Sequence, residues 1–280
     1  MKLAKISILA PGLIGGSVAL AAARAYPTAE LFIWSRRKDS LAPIQKALPK
    51  AKTGTDLTAA ARSDLILLGA PAPALVDLVR SLLPHLSGNT LVTDVASVKG
   101  PVEEELAPLL QGRARWIGSH PMAGSEETGF SAARADLFQK ATVILTPTKS
   151  TAAQTTQDAS EFWRSLGGRV VEVTAEEHDR QVARVSHLPH AVAATLVRAA
   201  GQKGLPFAGP GYRDTTRIAA GPTAMWTEIL LGNRDEILAG LKEFRGQLQD
   251  LEKALENRDV AGLARFLEDA AKIRRSLPSP

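Results

Sequence analysis

His120 is the residue of this chain best suited to proton chemistry, because Ser119-His120-Pro121-Met122-Ala123-Gly124-Ser125-Glu126 reads as a rigid polar loop with one imidazole. Histidine titrates near pH ~6.5, so it can take the proton of an alcohol while the alcohol carbon gives up hydride. Three further segments carry polar groups that packing alone would not request. Residues 94–100, with Asp94, Ser97 and Lys99, follow a strand, on the edge where open α/β sheets bind ligands. Ser186-His187-Leu188-Pro189-His190 sets two imidazoles three positions apart, on one helical face. Residues 212–218 hold Arg213 and Arg217 close together. Taken singly, each has a plainer explanation, since a lone histidine is more often a satisfied core residue and neighbouring arginines more often make solvated ion pairs.

A second kind of chemistry is written near the start. Ile6-Ser7-Ile8-Leu9 runs into Ala10-Pro11-Gly12-Leu13-Ile14-Gly15-Gly16-Ser17 and then an alanine-rich helix, which is G-x-G-x-x-G with Ala10 at the first glycine. Gly12 would let backbone approach a pyrophosphate, Gly15 would let helix pack close to strand, and the amides of Leu13 and Ile14 open the helix. A methyl at Ala10 is tolerable there if its φ is negative. The next strand ends in Trp34-Ser35-Arg36-Arg37, with no carboxylate before Asp39. A carboxylate would repel a 2′-phosphate, whereas Ser35 can donate to it and Arg36 or Arg37 can pair with it, so NADP is the expected cofactor with NAD as the lesser one. The alternative is two solvated arginines at a strand end.

The elements that must position these residues follow from composition and periodicity. The 280 residues fit one large domain or two ordinary ones, and 45% hydrophobic with 22% charged is a soluble globular balance. No cysteine is present, which removes disulfides, thiolate metal sites and cysteine nucleophiles. The net charge of +5 is mild and shows no dense basic stripe with interleaved aromatics, so no nucleic-acid partner is expected. Lys2 and Lys5 before an apolar run imitate a secretory signal, but Pro11, Gly12, Gly15 and Gly16 cut that run into strand, turn and helix. With no other apolar run of ~18 residues, no membrane partner is expected and the cytoplasm is the expected location. Strands are predicted over 5–9, 31–34, 65–68, 90–94, 116–117, 143–145 and 170–173, alternating with helices over 15–26, 41–48, 72–83, 102–109 and 153–166. The fold class is therefore α/β, a Rossmann-type mostly parallel sheet over 1–173, followed by an all-helical domain over 174–280. In that second part Ile237, Leu241, Phe244, Leu248, Leu251 and Leu255 form one seam, which suits either packing within the domain or a partner subunit's helix. Asp259 is an expected N-cap for a last helix. No His/Asp/Glu cluster has metal-ligand spacing, so no metal is expected.

Together the segments 12–17, 94–100, 120–126, 178–179, 186–190 and 214–219 closely resemble the prephenate/arogenate dehydrogenase family of tyrosine biosynthesis, over nearly the whole chain and in the family's order. The resemblance implies oxidation of a cyclohexadienol, prephenate or arogenate, by NAD(P)+ with loss of CO2 and aromatisation. It implies that His120 bonds the ring hydroxyl as acid/base and that Ser97 contacts both. It further implies that Arg217 binds a substrate carboxylate and His190 lies near the substrate. Ser125 and Glu126 match residues at the pocket mouth, with gating, discrimination or loop capping as their open roles. A homodimer through the C-terminal helices is implied, and a regulatory domain carried by some relatives is not expected. His178 and Asp179 read equally well as a helix cap or hinge ahead of the second domain's first helix. Competing readings are another Rossmann-plus-helical NADP-dependent dehydrogenase or imine reductase, and a non-catalytic NADP-binding sensor. Neither asks for His120, Ser97 and Arg217 together.

Overall fold

The computed structural model describes residues 2–125 and 127–277; Glu126, assigned above to the pocket mouth, lies outside them. Eight strands form one sheet: β1 (Lys5–Leu9), β2 (Glu30–Trp34), β3 (Lys52–Gly54), β4 (Leu65–Leu68), β5 (Leu91–Asp94), β6 (Arg115–Pro121), β7 (Thr142–Thr146) and β8 (Arg169–Glu172). Their order is β3-β2-β1-β4-β5-β6-β7-β8. All pairs are parallel except β6 with β7. Runs such as Leu65-Ile66-Leu67-Leu68 are apolar at every position because parallel strands are covered on both faces. Alternate residues feed two cores: Leu65 and Leu67 join Ile6, Ile8 and Trp163 on one side, while Ile66 and Leu68 join Leu75, Leu106 and Trp116 on the other.

The helices in the first part are α1 (Leu13–Ala25), α2 (Ala42–Ala47), α3 (Leu57–Ala61), α4 (Ala72–Leu82), α5 (Gly100–Leu110) and α6 (Ala153–Ser165). Past Glu172 the described chain is helical: α7 (Ala175–Val182), a π turn over Ala183–His187, α8 (Leu188–Gly204), α9 (Pro210–Thr216), α10 (Thr223–Gly232), α11 (Arg234–Glu256) and α12 (Val260–Arg275). Asp259 caps α12 by accepting from the Gly262 amide at 2.9 Å, as its position predicts.

Three local expectations change. β3 and α3 were not foreseen, being only three and five residues long. His120 belongs to a strand rather than a loop, because β6 continues through Pro121 and pairs His120 with Ile144 of antiparallel β7. Gly118, Ser119 and Pro121 look like loop residues in sequence, but the neighbouring strand supplies the hydrogen bonds that hold them extended. His178 and Asp179 lie inside α7, whose N-cap is Thr174, rather than ahead of it.

Candidate active site

The glycine-rich turn joins β1 to α1 at the sheet's topological switch, where β1 is flanked by β2 and β4. Gly12 is the N-cap of α1, and a Cβ built on it would meet no atom within 4 Å. A Cβ on Gly15 would lie 3.1 Å from the Ala10 carbonyl oxygen, so Gly15 is where helix and strand approach. The first turn of α1, starting with Leu13 and Ile14, has no side-chain cap and no acidic residue. Its amides and dipole are therefore available to an anion. Ala10 departs from expectation: its φ is +59°, the left-handed region, so the methyl is strained rather than tolerated.

At the end of β2, Arg36 and Arg37 are exposed and neither is ion-paired among the described residues. Ser35 is less free than its position suggests. Ser40 Oγ donates to the Arg37 carbonyl at 2.7 Å, so the 2.6 Å contact between the two hydroxyls is made by the Ser35 proton.

His120, on β6, sits three strands along the sheet from β1, buried to 8% exposure. Its backbone is braced from below. Lys99 is fully buried, pairs with buried Asp94, and donates to the Ser119 carbonyl at 2.8 Å. Asp94 accepts from the Ser119 amide at 3.1 Å and the Ala96 amide at 2.9 Å. The ring is braced from the side, with His120 Nδ1 2.8 Å from His178 Nε2 and His178 Nδ1 2.7 Å from Asp179 Oδ1. Asp179 also accepts from the Lys99 amide at 2.8 Å and the Gly100 amide at 2.8 Å, capping α5 from the helical half. Burial above all holds the His120 imidazole well below its ordinary titration range, and positive charge on His178, Lys99 or His187 adds to that. Burial opposes ionisation of Asp179, yet the bonds from His178, Lys99 and Gly100 outweigh it and keep that carboxyl below its usual range.

The segment after His120 turns back over the cofactor loop: a Cβ on Gly124 would lie 4.0 Å from Ile14 Cδ1. Ser125 is exposed and its hydroxyl accepts from the Glu127 amide at 3.2 Å, which is local capping. Ser97 is half-buried in the turn between β5 and α5, with no side-chain hydrogen bond among the described residues. On the helical side, His190 of α8 stacks on Trp226 of α10 at 3.5 Å and 11°, and its buried Nδ1 has no partner among the described residues. Arg217 is exposed at the start of a short turn, Arg217–Ala220, that packs against α8. Asn233 donates to the Asp179 carbonyl at 2.8 Å and to His187 Nδ1 at 3.1 Å. Burial lowers the His187 pKa to about 4.

Two family models match in tandem: "Prephenate dehydrogenase, nucleotide-binding domain" over residues 42–172 and "Prephenate dehydrogenase, dimerization domain" over 174–269. The prephenate dehydrogenase of Lactococcus lactis is 31% identical over 98% of this chain and 77% of its own length. The cyclohexadienyl dehydrogenase of Zymomonas mobilis is 31% identical over 97% of this chain and 95% of its own. The chain belongs to the prephenate dehydrogenase family. The prephenate dehydrogenase of A. aeolicus, solved with hydroxyphenyl propionate and NAD+, superposes with a TM-score of 0.90, 28% identity and 98% coverage of both chains.

This prephenate dehydrogenase family member is an NAD(P)-dependent oxidoreductase with a Rossmann-type sheet. Its residues fit the cofactor: an open glycine at an uncapped helix N-terminus suits the pyrophosphate, and the exposed arginines at the end of β2 have no ion pair among the described residues. The residues that sequence reasoning set aside were His178 and Asp179. A signal was present, since Ala175, His178, Asp179 and Val182 fall at i, i+3, i+4 and i+7, the buried stripe of α7. A His-Asp pair on an inward stripe must find partners, and these are His120 and the first amides of α5.

Proposed function

We propose that this chain oxidises the ring hydroxyl of prephenate or arogenate, with NADP+ preferred to NAD+, releasing CO2 and yielding 4-hydroxyphenylpyruvate or tyrosine. The observation that carries this reading is the buried, neutral His120, fixed on β6 and followed by a segment whose Gly124 approaches Ile14 of the turn that opens α1. A neutral imidazole can accept the hydroxyl proton, and its shielding from water keeps that proton on the reaction path. The nicotinamide, when bound, supplies the hydride acceptor. Ser97, without a side-chain hydrogen bond among the described residues, contacts the substrate hydroxyl and His120. Arg217 offers a planar fork to a substrate carboxylate, and His190 positions the ring from its stack on Trp226. Ser125 and Glu126 close the mouth of the pocket.

Gly12, Leu13, Ile14 and Gly15 hold the pyrophosphate, with Ala10 shaping the turn. Arg36 and Arg37 hold the 2′-phosphate, and Ser35 joins them by leaving Ser40. The sheet part, 1–173, binds the dinucleotide; the helical part, 174–280, binds substrate and pairs two subunits. Support for a homodimer is the α11 seam, which begins buried at Ile237 and ends with Leu248 and Leu255 at 46% and 58% exposure in the single chain. A tyrosine-biosynthetic role places the enzyme in the cytoplasm. NADP preference favours arogenate slightly. The test is initial rates with prephenate and arogenate, each with NAD+ and NADP+, on wild type and His120→Asn. Wild type should turn over at least one substrate faster with NADP+, and His120→Asn should lose about a thousandfold in kcat. Full turnover by the variant would remove His120 from the mechanism.

A further inference from the structure

We infer that His178 and Asp179 form a proton relay behind His120, fixing which of its nitrogens is the base and carrying the positive charge once that base is protonated. The inference rests on the reading of His120 as the base. It follows from a chain of three groups that, with both rings neutral, has only one consistent set of hydrogens. Asp179 is ionised and accepts from two backbone amides, so at its 2.7 Å contact His178 Nδ1 must carry the proton. A neutral His178 then presents a lone pair at Nε2, so the 2.8 Å contact to His120 is made by a proton on His120 Nδ1. What remains on His120 is a bare Nε2, which is the form a base requires. His178 is buried to 1% exposure, so its ring meets these two partners without solvent between them.

During turnover His120 Nε2 gains the hydroxyl proton and His120 Nδ1 passes its own to His178 Nε2. His120 is then neutral again, with the opposite tautomer. His178 holds both ring protons and one positive charge, against the Asp179 carboxylate. The relay itself oxidises no group: two protons have each moved one step, and one positive charge has moved from His120 to His178. The charged and titratable groups facing this chain are Lys99 and Asp94 from the β5–α5 segment, His187 from the π turn, and Glu103 from α5 toward Asp179. Lys99 and His187 disfavour a cation on His120. Asp179 lies one ring farther on, beside His178.

His178 and Asp179 are thus positioning residues, and three substitutions separate that role from folding. His178→Leu removes the acceptor for His120 Nδ1 and should lower kcat by about a thousandfold, within the range of a lost acid/base, with KM little changed. His178→Gln keeps an oxygen near Nε2 but cannot take a proton. It should recover part of kcat, about tenfold or more over His178→Leu, while shifting the acidic limb of the kcat–pH profile to lower pH. Asp179→Asn should act like His178→Leu. Nitrogen-15 NMR of the wild-type enzyme, which depends on no variant folding, should show protonated Nδ1 and bare Nε2 on both His120 and His178. Wild-type kcat and pH profile in His178→Leu, or a protonated Nε2 on resting His120, would overturn the relay. Loss of activity in His120→Asn alongside a wild-type His178→Leu leaves the base assignment standing and removes the relay alone.

Discussion

The two charged regions of this molecule are built in opposite ways. Around His120 every partner is buried and bonded: Lys99, Asp94, Ser119, His178 and Asp179 form a closed set tying β5, β6, α5 and α7 together. Arg36, Arg37 and Arg217, the groups suited to anions, are exposed. Proton transfer between heavy atoms fails over a few tenths of an ångström, so its geometry must be set before substrate arrives. A guanidinium can swing onto a phosphate or carboxylate and still gain most of its charge-assisted bonds. Perturbing the buried set should therefore cost stability as well as rate, whereas perturbing the exposed set should change affinity alone.

Lys99→Met is the hardest blow to the buried set. It leaves Asp94 as an uncompensated buried carboxylate and removes the donor to the Ser119 carbonyl, so a loss of roughly 3–5 kcal/mol is expected in urea unfolding. The double variant Lys99→Met/Asp94→Asn should recover a large part of that loss. If Lys99→Met unfolds like wild type, the brace under β6 is not structural.

Acid should attack the same region. His120 and His187 are neutral in the fold, with His187 depressed by burial to about 4, while in the unfolded chain both titrate near ~6.5. Between those values the unfolded state binds more protons, so stability is complete above about pH 6.5 and is lost as pH falls toward 4. His187 alone accounts for about 2–3 kcal/mol over that window. Asp179, whose folded pKa is lowered, contributes above its unfolded value near ~3.9 and loses that contribution only below it. Urea unfolding at pH 7.5 and 4.5 separates the two windows. Equal stability at both values would mean that the rings are charged in the fold.

Arg36→Ala tests the exposed set. The NADP+ over NAD+ ratio of kcat/KM should fall about tenfold, near 1.4 kcal/mol, with the melting temperature unchanged. An unchanged ratio would assign the selection to Arg37 or to no side chain of this strand end.

How much of this could be read from sequence divides along the same line. The parallel strands were legible because both-face burial writes them as unbroken apolar runs, Leu65 to Leu68 most plainly. The strand β3 was not, since Lys52-Thr53-Gly54 is an edge strand held by pairing with Phe32, Ile33 and Trp34 rather than by its own hydrophobicity. His120 stood out by type and Arg36 by place. The partners of His120 were not, because β6 extends past its apolar part only by pairing with β7, and α7 is otherwise polar. The buried network is long-range: Asp179 bonds residues 79 and 80 positions away. Local pattern carries no record of such pairings, except that a His-Asp pair on an inward stripe demands them.

Ala10 supplies the finest test, because it is a buried-type constraint placed in the cofactor turn. Its φ of +59° costs an L-residue about 1–2 kcal/mol. The turn persists because its neighbours leave no alternative. Ala10 donates to the Trp34 carbonyl at 3.0 Å, and its own carbonyl accepts from Gly12 at 2.9 Å. That oxygen also fills the space where a Cβ on Gly69 or Gly15 would stand, at 2.8 and 3.1 Å. Ala10→Gly removes the strain, while the added freedom of the unfolded chain takes back about 0.5–1 kcal/mol. The net gain should be under about 1 kcal/mol, a rise of a few degrees at most in melting temperature. NADP+ affinity should stay within about twofold, because the oxygen and amides that shape the turn are backbone. A drop in melting temperature would mean that the methyl packs well enough to offset its strained dihedral, and that the turn is held by Ala10 itself rather than by the glycines around it.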